Sequence, residues 1–123
     1  KKIKKKGMYF DHVSDVLDAL AEQGLQSDLR FADSFLNSRA KAGFGPVRIR
    51  QELLSKGVEG KVVDGVFNDC GVDWFKNARL AFKKKFPNPS GDLQERAKRV
   101  RFLTYRGFEI DHIKKAVGEF DNE

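Results

Sequence analysis

A glycine preceded by a basic residue recurs every fifty residues in this chain of 123 residues. The three glycines are Gly7, Gly57 and Gly107. The apolar spacing that follows the first glycine returns after the third, shifted by one hundred: Phe10, Val13, Val16, Leu17 and Leu20 become Ile110, Ile113, Ala116, Val117 and Phe120. This spacing is typical of a helix that buries one stripe of side chains. A fixed period of this length predicts an array of small repeats that pack on their neighbours.

Each repeat is predicted to hold three helices. In the middle unit these are a helix over about 28–42 capped by Ser27, a helix opening at Gly45-Pro46, and a helix after Gly57; in the last unit they cover about 73–86, about 92–105 and the residues after Gly107. Strict alternation of apolar and polar residues over the length of a strand is absent, which favours an all-α fold. The predicted division is a partial first repeat over residues 1–25, a second over 26–70 and a third over 71–123, with loops at Gly24 and Gly71.

The first repeat is expected to be incomplete. Residues 1–6 correspond to the tail of its second helix, and no first helix precedes them. The chain also lacks an initiating methionine, so we expect it to be a piece of a longer protein.

The helical spacing also predicts which side chains face inward. In the middle unit these are Ala32, Phe35, Leu36, Ile49, Leu53, Val63, Val66 and Phe67. In the last unit they are Trp74, Ala78, Ala81 and Phe82, and, on the helix after residue 92, Leu93, Ala97, Val100 and Thr104.

Basic residues concentrate around a predicted helix–turn–helix in the middle unit. Four of them, and no acidic residue, lie between positions 39 and 50: Arg39, Lys41, Arg48 and Arg50. Together with the net charge of +6, this concentration predicts a polyanionic partner. Arg50 falls near the apolar edge of its helix, so two interpretations stay open for it, a binding residue and a member of a structural ion pair.

A second basic segment covers residues 83–106, which contain eight basic and two acidic residues. Its candidate binding residues are Lys83, Lys84 and Lys85 at a helix end and Lys98, Arg101 and Tyr105 on the following helix. Cations interleaved with aromatic side chains can neutralise phosphates while the rings stack on unpaired bases. The alternative is that Tyr105 packs against the neighbouring unit, which is the interpretation we favour for Phe102.

Catalytic and cofactor-binding functions find little support in the sequence. The two histidines, His12 and His112, each follow an aspartate near a helix start. No catalytic nucleophile and no spacing of metal ligands accompanies them. We therefore expect the aspartate to cap the helix and the histidine to lie on the surface. The single cysteine, Cys70, excludes an internal disulfide and is expected to be a buried small side chain. No apolar run approaches the roughly 20 residues of a membrane span. We therefore expect a cytoplasmic protein that is no enzyme and has no metal and no cofactor.

Several motifs occur together in a fixed order. They are Gly24-Leu25 and Asp28-Leu29-Arg30-Phe31-Ala32; Ser38-Arg39, Gly43-Phe44-Gly45-Pro46 and Arg48-Ile49; Glu52-Leu53 and Lys56-Gly57-Val58; and Phe102-Leu103 and Tyr105-Arg106-Gly107-Phe108. Over about residues 5–120 this set resembles the RecX family of bacterial regulators of the recombinase RecA. The chain departs from the family in lacking the usual additional N-terminal segment and in carrying Ser27 where an acidic residue is more typical.

The resemblance implies tandem three-helix repeats in an elongated, curved array. It also implies a monomer that binds the RecA filament and its single-stranded DNA, limits filament extension and inhibits ATP hydrolysis, strand exchange and repressor cleavage. Two alternatives from other classes stay open: an autonomous nucleic-acid-binding protein, with the helix–turn–helix in a groove, and a helical adaptor for an unrelated acidic partner.

Overall fold

The computed structural model describes residues 8–89 and 91–121. These residues form six α-helices and no strand, which confirms the all-α prediction for this part of the chain. The helices are α1 (Met8–Lys41), α2 (Pro46–Ser55), α3 (Gly60–Asp69), α4 (Trp74–Lys85), α5 (Leu93–Arg106) and α6 (Ile110–Asp121). Gly7 and the helix tail expected over residues 1–6 lie outside the described residues, as do the side chains of Phe10, His12, Val13, Val16, Leu17, Leu20 and Phe120.

Helix α1 is continuous over 34 residues, so the loop expected at Gly24 and the cap expected at Ser27 are both wrong. Gly24 does not take the left-handed conformation that ends a helix, in contrast to Gly71, where φ is 65°. An interior glycine weakens a helix by about 1 kcal/mol relative to alanine but does not terminate it. The helix therefore runs from the predicted first repeat into the second without a turn.

Two separate hydrophobic clusters confirm the tandem arrangement. The first is built by the C-terminal half of α1 with α2 and α3, around the buried Leu36, Ile49 and Val63. The second is built by α4, α5 and α6, around Phe82 and Leu103. Trp74 packs against both clusters, at the point where the chain passes from one repeat to the next.

The inward face of α5 differs from the predicted one. Leu93 is 82% exposed, Ala97 and Thr104 are exposed and Val100 is half-buried, whereas the buried residues are Arg99 and Leu103. The guanidinium of Arg99 lies 4.8 Å from the ring centroid of Phe86 and is bonded to Glu95, with 3.1 Å between Nε and Oε2. The apolar periodicity failed here because arginine is almost never buried without such partners.

The start of α6 also differs from expectation. Ile110 is 66% exposed, and His112 is buried rather than on the surface. The backbone amide of Glu109 donates to Nδ1 of His112 at 3.2 Å, so the histidine, and not Asp111, satisfies this amide at the helix start. The imidazole packs edge-on against Phe75, with 4.7 Å between ring centroids.

The two repeats meet where the turn between α1 and α2 contacts the C-terminal end of α5. The amide nitrogen of Gly45 donates to the carbonyl oxygen of Arg106 at 2.8 Å, and the amide nitrogen of Val47 donates to the carbonyl oxygen of Gly107 at 2.9 Å. A Cβ atom on Gly45 would lie 2.5 Å from the backbone of Gly107, a distance at which something must shift. Glycine is therefore required for this backbone-to-backbone approach.

Two arginine side chains cross the same junction in opposite directions. Nη1 of Arg106 donates from the last repeat to the carbonyl oxygen of Ala42 at 3.2 Å. Nη1 of Arg48 donates from the middle repeat to the carbonyl oxygen of Tyr105 at 3.3 Å. Backbone and side-chain hydrogen bonds thus fix the two repeats relative to each other.

Candidate basic binding surface

The arginines of the helix–turn–helix converge on one carboxylate, Glu52. Nη2 and Nε of Arg39 lie 2.8 Å and 3.0 Å from the two oxygens of Glu52, a bidentate pairing across α1 and α2. Nε of Arg48, one turn earlier on α2, lies 3.2 Å from Oε2 of the same carboxylate. Arg39 and Arg48, two predicted binding residues, thus form ion pairs within the fold. The group of two arginines and one glutamate keeps a net positive charge.

The pKa of Glu52 reflects this position. Burial alone would raise the pKa of this carboxyl, but the hydrogen bonds and positive charges of Arg39 and Arg48 outweigh burial and hold its pKa below the ordinary value. The carboxylate is therefore ionised at neutral pH, and it orients both guanidinium groups.

An aromatic ring organises the same cluster. The guanidinium carbons of Arg39, Arg48 and Arg106 lie 4.0, 4.7 and 4.8 Å from the ring centroid of Phe44. Cations over an aromatic face are attracted by its quadrupole, which offsets part of their mutual repulsion. Residues from both repeats thereby share one half-buried phenylalanine in the turn.

Arg50 lies apart from this cluster. Its Nη1 lies 2.6 Å from Oδ1 of Asp64 on α3, and its guanidinium carbon lies 5.0 Å from the ring centroid of Phe67. The structure therefore contains the ion pair of the second interpretation. A binding role for Arg50 stays a prediction.

The lysines predicted at helix ends are exposed. Lys41 ends α1, and Lys83, Lys84 and Lys85 form the last turn of α4. Cations at these positions also complement the negative end of the helix dipole. Nζ of Lys85 lies 5.9 Å from the ring centroid of Phe102. Phe102 is half-buried and packs edge-on against Phe86 at 5.4 Å, within the core of its own repeat, whereas packing against the neighbouring unit was expected.

Helix α5 presents the remaining predicted residues on its exposed side. Lys98 and Arg101 are exposed, and Tyr105 is 78% exposed. The guanidinium carbon of Arg48 lies 5.5 Å from the ring centroid of Tyr105, so the basic residues of the middle repeat adjoin the aromatic residue of the last. The ring is available to a partner, and its surroundings are cationic.

The described residues contain no group of three or more His, Cys, Asp or Glu side chains that could hold a metal ion. No helix among the described residues is long and apolar enough to cross a membrane. Cys70 is half-buried, and its Sγ lies 3.3 Å from the carbonyl oxygen of Phe67.

Comparison with known families matches both repeats. Residues 27–66 match the profile described as RecX, second three-helix domain, and residues 72–117 match RecX, third three-helix domain. The chain belongs to the RecX family. The middle and last repeats are thus the second and third domains of the RecX arrangement.

Individual relatives agree with this assignment. The chain is 38% identical over 116 residues to the regulatory protein RecX of Pseudomonas fluorescens Pf-5, covering 94% of this chain and 75% of the relative. It is 41% identical over 117 residues to the RecX of Ectopseudomonas mendocina, covering 92% and 76%. It is 43% identical over 107 residues to the RecX of Chromohalobacter salexigens, covering 87% and 70%.

Two residues of this RecX chain were missed as site residues. Arg106 reaches across the junction to Phe44, and Glu52 gathers the arginines of the turn. The repeat itself contained a signal for Arg106, because Arg106-Gly107 corresponds to Lys56-Gly57. Glu52 had no such signal, since only the packing of α1 on α2 brings it to Arg39.

Proposed function

We propose that this RecX-family chain is a negative regulator of RecA that binds the RecA–single-stranded DNA filament. In this role it limits filament extension and inhibits ATP hydrolysis, strand exchange and coprotease activity. It acts as a monomer in the cytoplasm, without a metal or a cofactor. Family membership supports the choice of RecA as the regulated protein.

The fixed joint between two repeats is the observation that carries the proposal. Two backbone hydrogen bonds and two crossing arginines hold the repeats in one orientation. A rigid tandem of this kind can contact successive protomers of a filament at once. Because turnover of ATP requires protomers to rearrange, a ligand that bridges them opposes that rearrangement.

The cationic side of α5 is the part of the surface that we propose contacts the filament. Lys98 and Arg101 are exposed, and the ring of Tyr105 lies beside them on the same helix. Binding to a polyanion through such residues releases counterions, so the affinity should fall as salt concentration rises.

Adding the purified chain to RecA assembled on single-stranded DNA tests the proposal. We expect bound chain to sediment with the filament, filament growth to stop, and ATP hydrolysis to fall with increasing concentration of the chain. A chain that leaves growth and hydrolysis unchanged would contradict the proposal.

Titration of single- and double-stranded DNA without RecA tests the alternative function. An autonomous nucleic-acid-binding protein would bind DNA tightly under these conditions, whereas we expect only weak direct binding. The pairing of Arg39 and Arg48 with Glu52 argues against a helix–turn–helix free to enter a groove.

A further inference from the structure

A groove of about 850 Å³ lies between the two repeats, beside the junction. Its walls are the C-terminal end of α1, the loop before α4, one side of α4 and part of α5. Pockets of this size are large enough to enclose several side chains of a partner. The proposed filament-contacting residues of α5, Lys98, Arg101 and Tyr105, do not line it, whereas three other residues that the sequence predicted to bind a partner do: Lys41, Lys84 and Lys85.

The charge of the groove is strongly one-sided. Among the described residues that line it, five are cationic and one is acidic. The cationic ones are Lys41, Lys76, Lys84, Lys85 and Arg106, and the acidic one is Asp73. Asp73 caps α4, because its carboxylate accepts a hydrogen bond from the backbone amide of Lys76. The groove therefore attracts a negatively charged occupant.

Helix stability does not account for all of this charge. Lys84 and Lys85 lie in the last turn of α4, where a cation complements the helix dipole. Lys76, by contrast, lies in the first turn of α4, where the dipole disfavours a cation. Lys76, Leu80 and Lys84 follow at intervals of four residues and form one stripe along α4.

Part of the groove lining is aliphatic. Leu80, in the middle of that stripe, is 54% exposed, and the half-buried Ala81 and the buried Ala40 line the same groove. A large apolar side chain between two lysines exposes area that a partner's apolar side chain can bury.

The aromatic chemistry of the groove argues against a nucleic acid as its occupant. Phe102 is the aromatic residue among the described lining residues, and its ring is contacted by Phe86, Lys85 and Arg106. Single-stranded nucleic acids bind by stacking bases on open aromatic rings. This ring is half-buried and already contacted by one phenylalanine and two cations. The lysines and Leu80, by contrast, suit a peptide that alternates carboxylates with an aliphatic side chain.

We infer that the groove between the repeats is a docking site for an acidic peptide segment of a partner protein, with carboxylates on the lysine rim and an aliphatic side chain on Leu80. Arg106 supplies a fixed cation, because its guanidinium is held by the carbonyl oxygen of Ala42 and lies between the rings of Phe44 and Phe102. The groove binds such a segment whether or not the segment belongs to RecA.

The test uses the whole chain and a fluorescein-labelled peptide of alternating Glu and Leu, followed by fluorescence anisotropy. The charge-reversed variant K76E/K84E should weaken binding by about tenfold or more, because like charges then face each other. L80S should weaken binding about three- to tenfold through the loss of apolar contact. The variant K61E/K114E, which makes the same change in charge at exposed positions on α3 and α6, is the matched control and should bind as the original chain does.

Two comparison ligands complete the design. The same peptide with Gln in place of Glu should bind about tenfold more weakly or worse, and an oligothymidylate should not displace the labelled peptide. Equal weakening by K61E/K114E, or unchanged binding in L80S and K76E/K84E, would overturn the inference. Displacement of the peptide by the oligothymidylate would instead assign the groove to nucleic acid. Inhibition of RecA by the K76E/K84E chain is scored separately, so the groove and the proposed function can fail independently.

Discussion

The Cα atom of Gly107 faces the backbone of Arg48 so closely that a Cβ atom at position 107 would overlap the Cβ atom of Arg48 and lie 2.7 Å from its amide nitrogen. Gly107 ends α5 in the last repeat, and Arg48 lies in the first turn of α2 in the middle repeat. Two repeats that each have their own core are therefore joined through a glycine that leaves no room for a side chain.

Gly107→Ala should lower the free energy of unfolding by more than Gly57→Ala does. Both glycines have positive φ, 97° and 92°, so each substitution places alanine in the left-handed region at a cost of about 1–2 kcal/mol. At position 57 the new methyl group meets nothing within 4 Å, whereas at position 107 it meets Arg48. Urea denaturation of both variants measures the difference, which is the cost of the clash with Arg48 at the junction. Equal losses would show that the close approach has no energetic consequence.

Glu52→Gln should destabilise the protein by about 1–3 kcal/mol at neutral pH, because two arginines lose their charged acceptor. The pKa of Glu52 is lower in the folded state than the ordinary value of 4.5, so its ionisation stabilises the fold above that value. As the pH falls from 4.5 through the lowered pKa of the folded state, this contribution is lost. The difference in stability between the original chain and Glu52→Gln should therefore shrink over this window. Thermal denaturation at several pH values checks it, and a difference that grows on acidification would contradict the assignment.

His112→Ala should cost about 2–4 kcal/mol, since it opens a cavity beside Phe75 and leaves the amide of Glu109 without its acceptor. Asp111→Ala, one residue earlier and exposed, should change stability by less than about 1 kcal/mol, the range of a charge at a helix start. Chemical denaturation of the two variants distinguishes them. The reverse order would restore Asp111 as the residue that caps α6.

The sequence predicted the helices well where periodicity and glycine conformation act together. Gly43, Gly57, Gly71 and Gly107 all have positive φ, and the apolar stripes of α3, α4 and α6 are largely buried. Gly24 failed as a boundary because a glycine can also be accommodated inside a helix. The face of α5 failed because Arg99, which is only 4% exposed, is buried through aromatic and carboxylate partners contributed by residues distant in sequence or one turn away.

In the candidate site, too, local features could be predicted from the sequence and tertiary contacts could not. The clustering of basic residues was visible in the sequence, and Lys98, Arg101 and Tyr105 are exposed on α5. Which cations are engaged within the fold was not visible. The ion pairs of Arg39 and Arg50 join residues 13 and 14 positions apart and depend on helix packing.

Inhibition of RecA-catalysed ATP hydrolysis on single-stranded DNA by the variant K98E/R101E tests the central claim most directly. We expect the double reversal on α5 to raise the concentration needed for half-inhibition by about tenfold or more. The control K61E/K114E, with the same change in net charge, should inhibit as the original chain does, and circular dichroism should show equal helix content in all three chains. A folded K98E/R101E chain that inhibits as well as the original would contradict the account.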